Sequence, residues 1–132
     1  MIKKVMVFGT FDILHPGHLS FFKQAQKYGQ LTVVVARDKN VLKIKGKLPQ
    51  NSENERLKTV KNIWGITALL GDLNDPYKVI KKAGPGIICL GYDQKSFVNE
   101  LKFKFPKIKI IRLKPYKPEL FKTSKLIQYA RH

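Results

Sequence analysis

Cysteine is almost absent from this sequence: Cys89 is the only one in 132 residues. A single thiol excludes an internal disulfide and any cysteine-built metal cluster, and it suits the cytoplasm. Carboxylates are scarce as well, nine against 26 lysines and arginines, for a net charge of +17. That excess points to an anionic partner. It is mostly lysine spread along the whole length, without an arginine-rich tail. This favours small, negatively charged substrates and argues against nucleic acid. Long apolar runs are missing too. Stretches such as 31–36 and 86–90 fall far short of the roughly 20 residues a membrane helix needs. The opening Met-Ile-Lys-Lys leads straight into a strand-like run, with no secretory signal in view, so no membrane association is expected. Internal repeats, low-complexity tracts and linkers are also absent, which leaves one domain over 1–132 as the expectation.

What is present is a chain with 43% hydrophobic residues, ample for a buried core. Short apolar runs alternate with helically spaced segments, the pattern of a β/α chain. Strands are expected at 3–8, 31–36, 66–70, 86–90 and 107–113, and helices at 17–28, 53–63, 76–83, 94–104 and 123–130. Gly29 stops the first helix. Ser52 with Glu55 reads as a capping box, and Asp75-Pro76 as the opening of the third helix. The fold class is α/β: a Rossmann-like sheet of about five parallel strands with helices on both faces. Ligands bind such sheets beyond the carboxyl ends of the strands, which here means residues 9–16, 37–50, 71–75, 91–93 and 114–122.

The first of these loops holds the sequence's most informative block, Gly9-Thr10-Phe11-Asp12-Ile13-Leu14-His15-Pro16-Gly17-His18. A strand that turns through glycine into a helix presents free backbone amides and the positive end of the helix dipole, where phosphate binds. His15 and His18, three residues apart, fall on one side of that first turn and can donate to the same polyphosphate. Gly9, Thr10 and Phe11 supply the turn, Asp12 holds it, and Gly17 lets the helix start approach a ligand. Two surface histidines, half of a metal site or a plain glycine turn are the alternatives. Since no serine, cysteine or histidine is set up as an activated nucleophile, direct in-line transfer is the economical chemistry.

Other carboxyl-end loops add candidates. Asp38 opens the second loop, and Lys43, Lys45 and Lys47 stand at alternate positions beside Gly46, as a phosphate-closing lid or a solvated charge run. Arg56 could pair with Glu53 or reach the substrate. Asp93, after Gly91, could bind a ribose hydroxyl, a base amino group or a metal-bound water, or cap the following helix. Thr123 and Ser124 form a second phosphate cradle or a simple helix cap.

The block at 9–18 resembles the GTFDxxHxGH signature of the cytidylyltransferase-like nucleotidyltransferases, a branch of the HIGH superfamily. In the glycerol-phosphate cytidylyltransferases of that family the closing motif carries an arginine. Here Lys117 takes that place, Glu119 matches the acid, Thr123 and Ser124 match the paired hydroxyls, and Phe121 and Lys122 depart from the pattern. Lysine lacks the bidentate fork, which weakens the case for glycerol phosphate as substrate and leaves a cytidylyltransferase using CTP as the alternative. Residues 35–38, 45–47 and 90–94 instead resemble the archaeal FAD synthases, which transfer AMP from ATP to FMN and release pyrophosphate, with a divalent cation, magnesium, as cofactor. The resemblance implies His15, His18, Lys45 and Thr123 as catalytic residues. It implies nucleotide contacts at Gly9, Thr10, Phe11, His15, Pro16, Gly17, His18, Asp93, Lys122, Thr123 and Ser124. Asp38, Lys43 and Lys117 are expected at the substrate, no residue set is expected to hold a metal, and the molecule is expected to be a homodimer.

Overall fold

Alternation along the strands decides which side chains meet which layer of helices. The computed structural model describes residues 3–94 and 98–115. In β1 (Lys4–Gly9), Val5 and Val7 join one apolar cluster and Met6 joins the other, all three buried. Every other strand divides in the same way, as the period of two in an extended chain requires. The strands are β2 (Gln30–Val35), β3 (Ile66–Leu70), β4 (Ile87–Leu90) and β5 (Lys109–Arg112). They form one parallel sheet in the order β3-β2-β1-β4-β5.

Helices cover both faces, as expected. On one side Phe22 and Ala25 of α1 (Pro16–Gln26) and Val60 of α3 (Glu53–Lys61) pack on Val5, Val7, Leu31, Val33 and Cys89. On the other, Ile80 of α4 (Lys78–Ala83) and Leu101 of α5 (Val98–Lys104) pack with Tyr77 on Met6, Val34, Ile88 and Leu90. Burying such side chains contributes about 1.5–3 kcal/mol each before conformational entropy opposes it. Cys89 sits at 0% exposure in the middle of β4, and desolvation pushes its thiol pKa up to about 11. It is a core residue.

Several boundaries differ from the sequence reading. Residues 38–45 form a helix, α2 (Asp38–Lys45), where a flexible loop was expected; Val41 is its buried contact and Gly46 ends it in the left-handed conformation at φ 79°. Asp75-Pro76 does not open α4. The chain makes a turn there, Asp75 Oδ1 accepting from the Tyr77 amide at 2.9 Å, and the helix begins at Lys78. Gln94 lies outside α5, which is described from Val98. The capping pair at α3 is present, with Ser52 Oγ accepting from the Glu55 amide at 3.3 Å. The expected helix at 123–130 falls outside the described residues.

Candidate active site

Strand order reverses between β1 and β4, and in open parallel sheets that switch point is where a ligand crevice forms. One side chain joins the two carboxyl ends there. Gln94 donates from Nε2 to the Phe8 carbonyl at 3.3 Å, and its Oε1 accepts from the Gly91 amide at 3.3 Å. From the sequence, Gln94 is expected as the last residue of the 90–94 block and the first of a helix at 94–104. No local signal marks an amide as a strand-to-strand staple.

The 9–18 block builds the near wall. His15 is the N-cap of α1 and its Nδ1 accepts from the Gly17 amide at 3.1 Å. An accepting Nδ1 requires the neutral tautomer with its proton on Nε2, so His15 presents one donor outward. Pro16 starts the helix, where its missing N–H costs nothing. The His18 ring stacks on His15 with centroids 3.8 Å apart and planes 23° from parallel. Burial lowers the pKa of His15 from the usual 6.5. It lowers that of His18 to about 4, reinforced by the adjacent His15 and opposed by a bond to the Ile13 backbone. Both rings are therefore neutral donors at neutral pH in the free protein.

Phe11 supports that pair from beneath. It is buried at 6% exposure and adopts φ +52°, and its ring meets His18 edge-on at 5.5 Å and Phe22 at 5.0 Å. Gly9 is glycine because the ring folds back over it. A Cβ at that position would lie 2.6 Å from the ring's Cζ. Asp12 reaches further than a local turn: its carboxylate accepts from the amides of Gln50 and Asn51 at 2.7 and 2.8 Å. That contact ties the first loop to the segment entering α3.

The second loop is placed by an ion-pair network. Arg56 pairs with Asp38 at 2.7 Å, and Arg37 with Glu53 at 2.9 Å. Glu53 Oε1 accepts from the Asp38 amide while Asp38 Oδ2 accepts from the Glu53 amide. Asp38, expected at the substrate, has both carboxylate oxygens on protein donors. One expectation is corrected. Arg56 binds Asp38 and main-chain carbonyls, neither Glu53 nor open space. Helix α2 also separates the lysines, because residues two apart on a helix face away from each other. Lys45 Nζ comes to Thr10 Oγ1 at 3.4 Å, whereas Lys43 is exposed with no bond recorded to the 9–18 block.

On the far wall Asp93 is exposed beyond β4, its carboxylate folded back towards Gly91. Arg112 at the end of β5 donates through Nη1 to the carbonyls of Gly91 and Gln94 at 2.7 and 2.8 Å, a contact the sequence did not reveal. Lys117, Lys122, Thr123 and Ser124 lie outside the described residues. Among the described residues no group of three or more His, Cys, Asp or Glu is arranged to hold a metal ion. No helix among them is long and apolar enough to cross a membrane.

This geometry has counterparts among known proteins. The FAD synthase of Aciduliprofundum boonei is 43% identical over 119 residues, covering 86% of this chain and 79% of its own length. That of Ferroglobus placidus is 40% identical over 134 residues, covering 96% and 87%. A crystal structure of the lipopolysaccharide core biosynthesis protein from Thermoplasma volcanium superposes with a TM-score of 0.81 at 40% identity, over 89% of this chain and all of that one. Residues 6–128 match the family described as Cytidylyltransferase-like. With stacked histidines at the switch point and relatives of this closeness, the chain belongs to the cytidylyltransferase-like nucleotidyltransferases, alongside the archaeal FAD synthases.

Proposed function

We propose that this protein is an FMN adenylyltransferase, an FAD synthase that transfers AMP from ATP to FMN. One observation carries the nucleotidyl chemistry: the stacked His15 and His18 at the start of α1, beside the switch point of the sheet. The acceptor follows from the FAD synthases that this chain resembles at 40–43% identity over most of its length.

In this mechanism a phosphate oxygen of FMN attacks the α-phosphorus of ATP in line. The new P–O bond forms as the bond to the bridging oxygen of the β-phosphate breaks, and pyrophosphate leaves. No covalent enzyme intermediate is needed. His15 Nε2–H and the His18 ring donate to oxygens where charge grows, in a partly buried site where such donors are each worth about 2.7–4 kcal/mol of transition-state stabilisation. Lys45, held at Thr10, adds a positive charge to the triphosphate. The amides of Gly9 to Phe11 and of Pro16 to His18 line the same turn (Pro16 contributes shape alone). Asp93 is assigned to accept from a ribose hydroxyl. Lys117 is assigned to the acceptor and Lys122, Thr123 and Ser124 to the nucleotide, roles that rest on the family resemblance. Magnesium would accompany the ATP and supply charge neutralisation. We further assign the molecule to the cytoplasm as a homodimer, a reading that rests on the family resemblance.

The test is direct. Protein incubated with ATP, FMN and magnesium should yield FAD and pyrophosphate in equal amounts, read by chromatography and a coupled pyrophosphate assay. Turnover of CTP with glycerol 3-phosphate, and none of ATP with FMN, overturns the proposal.

A further inference from the structure

A buried arginine is expensive, because its charge leaves water and must be matched by partners of good geometry. Arg56 is the largest fully buried side chain in the fold, at 1% exposure. Its guanidinium donates to the Thr10 carbonyl at 2.7 Å, the Asn51 carbonyl at 3.0 Å and Asp38 Oδ1 at 2.7 Å. Two of those acceptors are main-chain oxygens, one in the loop leaving β1 and one in the segment entering α3. An apolar residue could fill the same volume on α3 without desolvating a charge. The three bonds therefore call for another reason.

That reason lies one residue beyond Thr10. Phe11 holds φ +52°, a left-handed conformation that costs an L-residue about 1–2 kcal/mol. Contacts restrain the turn on both sides of it. Arg56 holds the Thr10 carbonyl before Phe11, and the Gln50 and Asn51 amides hold the Asp12 carboxylate after it. Arg56 also holds Asn51 itself, so both restraints lead back to one guanidinium. The turned Phe11 ring then meets His18 edge-on at 5.5 Å, and the Thr10 hydroxyl meets Lys45 at 3.4 Å.

We propose that Arg56 is a positioning residue for nucleotidyl transfer, holding the strained turn at Phe11 so that His18 and Lys45 stand where the triphosphate needs them. It acts through Thr10, Phe11 and Asn51 and is enclosed by them, so it touches no substrate. The inference rests on the adenylyltransferase reading.

Arg56→Lys keeps the charge but cannot span three acceptors in the guanidinium's planar fork. Its control is Val60→Ala, a core truncation on the same helix, remote in role from the turn. Both variants should lower the melting temperature. Arg56→Lys should also lower kcat/KM for ATP by about 10–100-fold, as expected when catalytic groups shift by a fraction of an ångström, with KM for FMN within about twofold. Val60→Ala should leave both constants within about twofold when assayed well below its melting temperature. If activity in Arg56→Lys only tracks its melting temperature, as in the control, the proposal falls. Should Arg56→Lys fail to fold, Asp12→Asn loosens the turn from its other side and must show the same loss; unchanged kinetics there also overturn the idea. ATP affinity by calorimetry runs beside the kinetics. A wild type that forms no FAD sinks the adenylyltransferase reading, whereas ATP binding equal in Arg56→Lys and wild type counts against Arg56 alone.

Discussion

The rings of His15 and His18 are stacked at 3.8 Å, yet only one has its inner nitrogen satisfied: His15 Nδ1 caps α1, while His18 Nδ1 is buried without a hydrogen-bond partner of good geometry. Protonating His15 at Nδ1 would break its cap, while burial opposes a proton on His18 and lowers its pKa to about 4. Two residues of one type in one motif thus have different work.

Substitutions should separate those tasks. His18→Ala should lower kcat by roughly two to four orders of magnitude through loss of a transition-state donor. His15→Asn keeps a good N-cap and should retain the wild-type melting temperature, whereas His15→Ala should lose about 1 kcal/mol with the cap. Both should be severely impaired in turnover. A His15→Asn enzyme of near-normal rate would show that the cap, and not the Nε2 donor, is the residue's contribution.

Stability should depend on pH through His18. The unfolded chain binds this proton near pH 6.5, while the folded ring, desolvated and beside His15, binds it only near pH 4. Acid therefore favours the unfolded chain across that window. Thermal melts without nucleotide should show full stability above about pH 6.5 and a decline towards pH 4, a decline that is shallower in His18→Gln. Burial shifts His15 in the same direction, so part of the slope should remain in that variant. Parallel curves for the two proteins would contradict the burial of this ring.

Helix α2 predicts unequal lysines. Lys45→Ala should raise KM for ATP about tenfold and flatten its dependence on salt, because a charge at the triphosphate has been removed. Lys43→Ala, on another face of the helix, should stay within about twofold. Equal effects from the two would mean that residues 43–47 act as a diffuse positive cloud.

Gly9→Ala should harm the enzyme without touching a ligand. Its Cβ would press on the Phe11 ring at 2.6 and 2.8 Å, and that ring is hemmed in by Phe22 and His18. Overpacking of this kind costs about 1–3 kcal/mol. Denaturant melts should show that loss together with reduced kcat, and a crystal structure of the variant should show Phe11 displaced.

The parallel sheet, its helical layers and the His15–His18 pair were legible in the sequence because each is written in short-range pattern: alternating apolar residues, helical spacing and a contiguous motif. Helix α2 was not, since Asp38–Lys45 carries a single buried residue, Val41, and seven exposed or polar neighbours that read as loop. The tasks of Asp38 and Arg56 were hidden for a different reason. An acid and a base 18 positions apart look like solvent-facing charges until the fold closes them to 2.7 Å.

By itself, the order of residues determined which segments become strands, which faces they bury and that two imidazoles stand at the first helix start, because those outcomes follow from neighbours within a few positions. Only the tertiary structure decided which charges hold the scaffold and which are left at the surface. That division depends on long-range contacts, such as Arg56 to Thr10 across 46 residues and Gln94 to Phe8 across 86, which exist only once the chain has folded and water has been excluded from between them.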